Sequence, residues 1–225
     1  MTDRATDRLT DRGPAGRGGA LAPTPAHRAR LDAALAGLAG AGRVLDLGCG
    51  EGALSLALAR AGAAVVAVDE SLPALRALAA TLDAEPPPVG ARVTLLHAPL
   101  ERLDGRLAGF DAAAMVEVLE HVAPDRLGLL ERAVFHRLRP GRVVLTTPNA
   151  DANPALGVPA GRLRHPDHRF EWSRARFARW AGGVAARAGY GVAVSGVGIR
   201  LPGGDAPTQM AVFERAAGRG WSGGD

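Results

Sequence analysis

Between residues 43 and 147 the chain alternates short and long apolar segments. The short ones, "RVLDLG", "AVVAVD", "ARVTLLHA", "FDAAAMVE" and "GRVVLTT", are near-continuous apolar runs bounded by Gly, Asp or Pro. Such runs read as strands covered on both faces. The longer ones, "GALSLALARAG", "SLPALRALAATL" and "DRLGLLERAVFHRL", carry apolar residues at helical spacing, with Ser71 placed as an N-cap. "EPPPVG" reads as a loop. Ahead of the first strand, Thr24-Pro25 marks a helix start that leads into "AHRARLDAALAGLAG". Beyond the fifth strand come a charged stretch from Pro148 to Trp172, a helix from about Arg174 to Ala188, and two closing strands, "GVAVSGVGI" and "TQMAVFE". Strands alternating with helices predict an α/β fold with a mostly parallel sheet and helices on both faces. The last two strands have no helix between them, so the last of the seven is expected to run antiparallel.

The length of 225 residues fits one domain with a sizeable core. Residues 1–23 repeat "TDR" three times and then turn rich in Gly and Pro, so they are expected to form a disordered tail. The folded domain is expected over 24–217, with a flexible C-terminal tail over 218–225. No apolar run approaches the ~20 residues of a membrane span. The N-terminus carries acids where a secretory signal needs an apolar core. A lone cysteine, Cys49, leaves no internal disulfide and fits a reducing cytoplasm. The expectation is a cytoplasmic protein away from membranes.

Every basic residue other than histidine is arginine, and the net charge is +4. The arginine bias inflates the pI, which therefore says little about nucleic acid. A local cluster says more: Arg162, Arg164, Arg169, Arg174, Arg176 and Arg179 are candidate phosphate ligands.

"VLDLGCGEG", Val44 to Gly52, joins the first strand to its helix. Glycines there let a ligand approach the backbone at the strand's carboxyl end. Asp69 ends the second strand about 20 residues later, where a ribose needs an acceptor. The plainer alternative is a packing turn and a capping acid. An Asp before the glycines sets the motif apart from a dinucleotide fingerprint. "LDLGCGEG" resembles the first motif of class I S-adenosylmethionine-dependent methyltransferases, which have a Rossmann-like fold. By that resemblance Asp46 and the Gly48–Gly50 backbone hold the methionine end of the cofactor and Asp69 its ribose. Cys49 is then a small turn residue and not a nucleophile.

"MVEVLEHVAP" follows the fourth strand and places Glu117, Glu120 and His121 at its carboxyl end. In a helical turn these residues share a face. Two neighbouring carboxylates repel unless a cation or proton lies between them. With His121 they make most of a divalent-metal set; capping or solvent exposure is the other reading. Of six histidines, two more lie in "RLRHPDHRFEW", His165 and His168, on the segment that returns to the same edge of the sheet. Two acids and two imidazoles suit magnesium, manganese or cobalt, the imidazoles tilting the site away from magnesium alone. His27 and His136 read as helix-surface residues, and His97 ends a strand.

"MVEVLEHV", "TTPNADAN", "RLRHPDHRFEWSRARFARWA" and "PTQMAVF" together resemble the bacterial relatives of the small-RNA 3′-terminal ribose 2′-O-methyltransferases, the Hua-enhancer type, over about residues 42–214. The resemblance implies that Glu117, Glu120, His121 and His168 hold a metal, Mg or Mn, that grips both hydroxyls of the last nucleotide. His168 rather than His165 falls on the family's Asp-His-x-Phe-Glu-Trp element, with Asp167 expected either as the partner of the metal-bound imidazole or as an acid that orders the loop. RNA with a free terminal 2′,3′-diol is the implied substrate, in RNA repair or end protection; DNA, lacking the 2′-hydroxyl, is excluded. Phe170 and Trp172 are candidates to stack on the last base or to pack under the loop, and Phe177 and Trp180 are core. An RNA end-healing and ligating protein, engaged in long bacterial members by an additional N-terminal half, is the implied partner; here a short tail precedes the methyltransferase. Two other readings stay open: a class I methyltransferase of a small metabolite, and a non-catalytic RNA-end-binding module.

Overall fold

The computed structural model describes residues 24–216, so the expected tails over 1–23 and 218–225 lie outside the described residues. Seven strands form one sheet in the order β3-β2-β1-β4-β5-β7-β6. They are β1 Arg43–Leu47, β2 Ala64–Asp69, β3 Val93–His97, β4 Ala112–Val116, β5 Arg142–Pro148, β6 Tyr190–Val197 and β7 Thr208–Arg215. β1 to β5 pair in parallel, and β7 runs antiparallel between β5 and β6. The expected α/β sheet with an antiparallel last strand is what forms.

Period-two alternation assigns each strand residue to one of two cores. Leu45, Leu47, Ala113, Met115, Val143 and Leu145 face one cluster, joined by Phe135, Trp172 and Phe177. Val44, Ala112, Ala114 and Val144 face the other, packed with Ala34 and Leu38 of α1 (Pro25–Gly37) and its continuation, and with Leu54 and Leu58 of α2 (Ala53–Arg60). Helices therefore cover both faces. Three helix starts are capped by hydroxyls: Thr24 accepts from His27 N, Ser71 from Ala74 N at the head of α3 (Leu72–Asp83), and Ser173 from Arg176 N.

Two segments depart from expectation. "EPPPVG" is not a plain loop: Pro87–Gly90 form a short helix, α4, because a proline at the first helical position comes with its φ already set. The helix expected over 125–138 is broken up. A 3₁₀ turn precedes α5 (Leu127–Glu131), which widens into a π-helix over Arg132–Leu138 and stops at Arg139, φ 44°. The last helix, α6, spans Arg174–Ala188. Among the described residues no helix is long and apolar enough to cross a membrane.

The carboxyl ends of β1, β2, β4 and β5 share one edge, where such sheets present ligand sites. All the candidate site residues hang from that edge.

Candidate active site

Parallel pairing of β1 with β2 brings the glycine loop against the end of β2. Gly48 N and Cys49 N both donate to Val68 O, at 2.8 and 3.0 Å. Gly48, Gly50 and Gly52 all have positive φ, a conformation that costs other residues about 1–2 kcal/mol. Asp69 spans the junction: Oδ2 accepts from Gly50 N at 2.8 Å and Oδ1 from Ser71 N at 2.7 Å. Asp46 is buried and accepts from Ser55 Oγ at 2.6 Å. Burial, only partly offset by Ser55, raises its carboxyl to about 6. Burial likewise pushes the Cys49 thiol far above its ordinary range, which leaves it no thiolate at neutral pH. A methyl-sized group added at Gly50 would meet nothing within 4 Å, so the loop presents open backbone on the ligand side. That open backbone lies directly against the Asp69 carboxylate.

The acceptor end begins where β4 stops. Glu117 has φ 56°, uncommon for a residue with a side chain. Its N–H donates to Thr146 O and Oγ1, both at 3.1 Å, and Thr146 Oγ1 donates back to Glu117 Oε1 at 3.0 Å. These bonds hold the strained turn in place. The chain then makes one 3₁₀ turn, Leu119–His121, instead of an α-helix. Glu120 is fully buried; Oε2 accepts from Thr147 Oγ1 at 2.9 Å, and Oε1 has no partner among the described residues. Burial, and then the Glu117 charge, raise Glu120 well above the usual carboxylate range. Burial raises Glu117 as well, against the pull of Arg30, whose Nε lies 3.7 Å from Glu117 Oε2.

The segment from Pro148 to Trp172 arrives at the same edge, as expected. Arg169 N donates to Glu120 O at 2.7 Å and fixes His168 beside the Glu120 turn. The His121 and His168 rings lie 5.0 Å apart. Ligand atoms of Glu120, His121 and His168 all lie within 4.8 Å of one another. Glu117 stands outside that group of three, turned towards Thr146 and Arg30. Burial and the nearby His168 lower His121, which favours its neutral form. A buried carboxyl oxygen with no donor, converging with two imidazoles, fits a divalent cation: it has lone pairs to give and nothing else among the described residues to satisfy them.

Several expected roles are corrected. The partner of His168 is Glu171, at 2.6 Å from Nδ1, whereas the Asp167 carboxylate lies 3.7 Å from His165 Nδ1. Asp167 instead offers its backbone carbonyl to His121 Nδ1 at 3.3 Å. Arg164 is no surface phosphate ligand, being bonded inside the loop; Arg162, Arg169, Arg174, Arg176 and Arg179 are exposed. Trp172 is buried and packs, with Phe170 stacked on it at 4.5 Å and Arg176 over its ring. Sequence reasoning overlooked Thr146, Thr147 and Asn153. The threonines had one signal, polar residues ending an otherwise apolar central strand.

A family model described as Methyltransferase domain matches residues 44–141. Fold and site thus define a Rossmann-like methyltransferase domain. The methyltransferase domain of the bacterial protein CtHen1-C superposes with a TM-score of 0.75 at 37% identity, over 84% of this chain and 98% of that one. The chain belongs to the Hen1 family of methyltransferase domains. The small RNA methyltransferase HEN1 superposes at 0.76 with 27% identity, over 90% of this chain and 28% of that one. A "Small RNA 2'-O-methyltransferase" of Rattus norvegicus is 41% identical over 130 residues, 56% of this chain. The chain spans about a third, 32%, of the length of that curated relative.

Proposed function

We propose that this chain transfers a methyl group from S-adenosylmethionine to the 2′-hydroxyl of the 3′-terminal nucleotide of RNA, at a site that takes a divalent metal, Mg or Mn. One observation carries the reading: Glu120, His121 and His168 converge within 4.8 Å beside the open glycine loop, with Glu120 Oε1 buried and unpartnered. Asp46, Gly48, Gly50 and Asp69 form the cofactor end, and Glu117 is the fourth ligand in this reading. The rat relative supplies the acceptor chemistry by name, as a small RNA 2'-O-methyltransferase. An RNA end-healing and ligating protein as partner is part of the same reading and rests on the family resemblance.

The residues divide the work. Asp46 faces the methionine ammonium and Asp69 the ribose, which fixes where the sulfonium methyl points. Glu120, His121 and His168 set the place of the acceptor ribose. A metal held there would lower the pKa of a hydroxyl bound to it and orient that hydroxyl. The 2′-oxygen uses a lone pair to bond the methyl carbon, the carbon–sulfur pair returns to sulfur, and the hydroxyl proton is released to water. Two vicinal hydroxyls are needed to fill a chelating site, so a 2′-deoxy end or a 3′-phosphate should fail.

The test is methyl transfer to an RNA oligonucleotide ending in a 2′,3′-diol, beside its 2′-deoxy-terminated and 3′-phosphorylated twins, with and without chelator. Product from the diol alone, lost with chelator and restored by manganese, is expected. Equal product from the 3′-phosphorylated RNA, or indifference to chelator, would overturn the chelation reading.

A further inference from the structure

The acceptor segment is a closed loop pinned at its neck. Asn149 and Trp172 pair as an isolated bridge, and Ala150 N donates to Trp172 O at 3.0 Å. Arg164 lies inside the loop. Its Nε donates to Asn153 Oδ1 at 2.5 Å, its Nη1 to Pro207 O at 2.6 Å, and its Nη2 to Asn149 O at the neck. Its backbone N donates to Glu171 Oε1 at 2.7 Å.

Glu171 is the second buried element. Its side chain has no exposed surface. It accepts from Arg164 N, from Asn153 Nδ2 at 2.7 Å, and meets His168 Nδ1 at 2.6 Å. With its two oxygens already accepting from Arg164 N and Asn153 Nδ2, it faces His168 Nδ1 as an acceptor, and an acceptor at Nδ1 takes the proton carried by that nitrogen. Nε2 of His168 is then the nitrogen left with a lone pair.

We propose that Glu171 and Arg164 are positioning residues of the acceptor site: Glu171 fixes the tautomer and direction of His168, and Arg164 ties Glu171 and Asn153 to the neck of the loop. The inference rests on the proposed role of His168 as a ligand. Metal-ligating imidazoles commonly depend on such a partner, whose loss costs about 10–100-fold in metal affinity. The sequence neighbour Asp167 cannot serve, because its carboxylate is turned to His165 and largely exposed. One half-buried arginine joining Asn149, Asn153 and Pro207 also makes the position of His168 depend on β5, β7 and the loop at once.

The experiment uses the full chain and four variants: Glu171→Gln, Glu171→Leu, Arg164→Met and Asp167→Asn. Folding is checked by thermal unfolding and by S-adenosylmethionine binding. Imidazole ¹⁵N spectra of the metal-free proteins at fixed pH report the His168 tautomer, and calorimetry reports manganese affinity. The wild type and Asp167→Asn should show the Nδ1–H tautomer and equal affinity. Both Glu171 variants should populate the other tautomer and bind manganese about 10–100-fold more weakly. Arg164→Met should speed amide exchange over residues 150–171 and weaken manganese binding as well. The milder Glu171→Gln keeps the side-chain volume, so the comparison stands even if Glu171→Leu unfolds. An unchanged tautomer and affinity in Glu171→Gln overturn the role of Glu171; faster exchange with unchanged affinity in Arg164→Met overturns that of Arg164. Absence of manganese binding by the wild type would instead remove the ligand reading, while the spectra still decide whether Glu171 sets the imidazole.

Discussion

Thr147 donates its hydroxyl to Oε2 of Glu120 at 2.9 Å, leaving Oε1 of the same buried carboxyl without a partner. β5 thus presents one polar group where the site needs a carboxyl oriented, and withholds a second where the site needs an oxygen free. An unsatisfied buried polar group costs about 1–3 kcal/mol, more if charged. The domain carries that cost at the centre of its acceptor edge. Glu120→Gln should therefore stabilise the metal-free protein at neutral pH by an amount on the order of 1 kcal/mol, since it removes a carboxyl whose ionisation burial and Glu117 both oppose. Methyl transfer should be abolished while cofactor binding survives. Denaturant unfolding and single-turnover transfer test the pair of effects; a destabilised Glu120→Gln protein would mean that the carboxylate helps the fold.

The two imidazoles of "RHPDH" should separate cleanly. His168 joins the convergent group, whereas His165 uses Nδ1 to accept from Asp167 N at 3.2 Å and its ring stands 5.5 Å from that of His168. His168→Ala should lose at least 100-fold in transfer rate at saturating RNA, about 2.7 kcal/mol or more in the transition state. His165→Ala should retain activity, with RNA binding the quantity to move. Single-turnover rates across a manganese titration decide it, and an inactive His165→Ala beside an active His168→Ala would reverse the assignment.

Asp46 makes stability depend on pH. Its carboxyl is raised by burial from 3.8 to about 6, so the folded protein holds that proton more tightly than the unfolded chain. The group's contribution is most favourable below about 4 and is lost as pH rises towards 6, in total on the order of 3 kcal/mol at 1.36 kcal/mol per pKa unit. Asp46→Asn should flatten unfolding free energy across that window. Cofactor affinity should rise over the same window, because an ammonium prefers the ionised carboxylate. Equal slopes in wild type and Asp46→Asn would assign the pH dependence to another group.

Gly48 couples the two ends of the site. A Cβ there would sit 2.6 Å from Cγ2 of Val118, the residue directly after Glu117, and Gly48 has φ 75°. Gly48→Ala should cost about 1–2 kcal/mol in backbone strain alone, with more from the overlap. It should also slow transfer at saturating cofactor by displacing the Glu117–Glu120 turn. Gly50→Ala, whose added carbon meets nothing, should pay only the backbone term and act on cofactor affinity. Urea unfolding and cofactor titration of the two variants distinguish them; indistinguishable stabilities would argue that Val118 yields freely.

What the sequence determined by itself was what neighbouring residues encode. Apolar runs placed all five parallel strands, because burial on both faces demands such runs wherever they occur. Ser71 capped its helix as local chemistry requires. Asp46, the glycines and Asp69 came out together because the β1 turn and the end of β2 are joined by parallel pairing alone. Glu120 and His121 could be read as neighbours because they stand in one short stretch after β4, whereas Glu117, in the same stretch, turns to Thr146 and Arg30. Tertiary structure decided what depends on distant segments meeting. Asp167 looked like the partner of His168 because it is adjacent in sequence, but a loop residue's side chain goes where the loop path takes it. That path is set by Arg164 reaching Asn149 and Pro207, residues 15 and 43 positions away. The same holds for Thr147 and Glu120, 27 positions apart, whose meeting depends on the β4–β5 register. Arg164 itself reads in sequence as one more exposed basic residue, and only the closing of the loop around it makes it an internal tie.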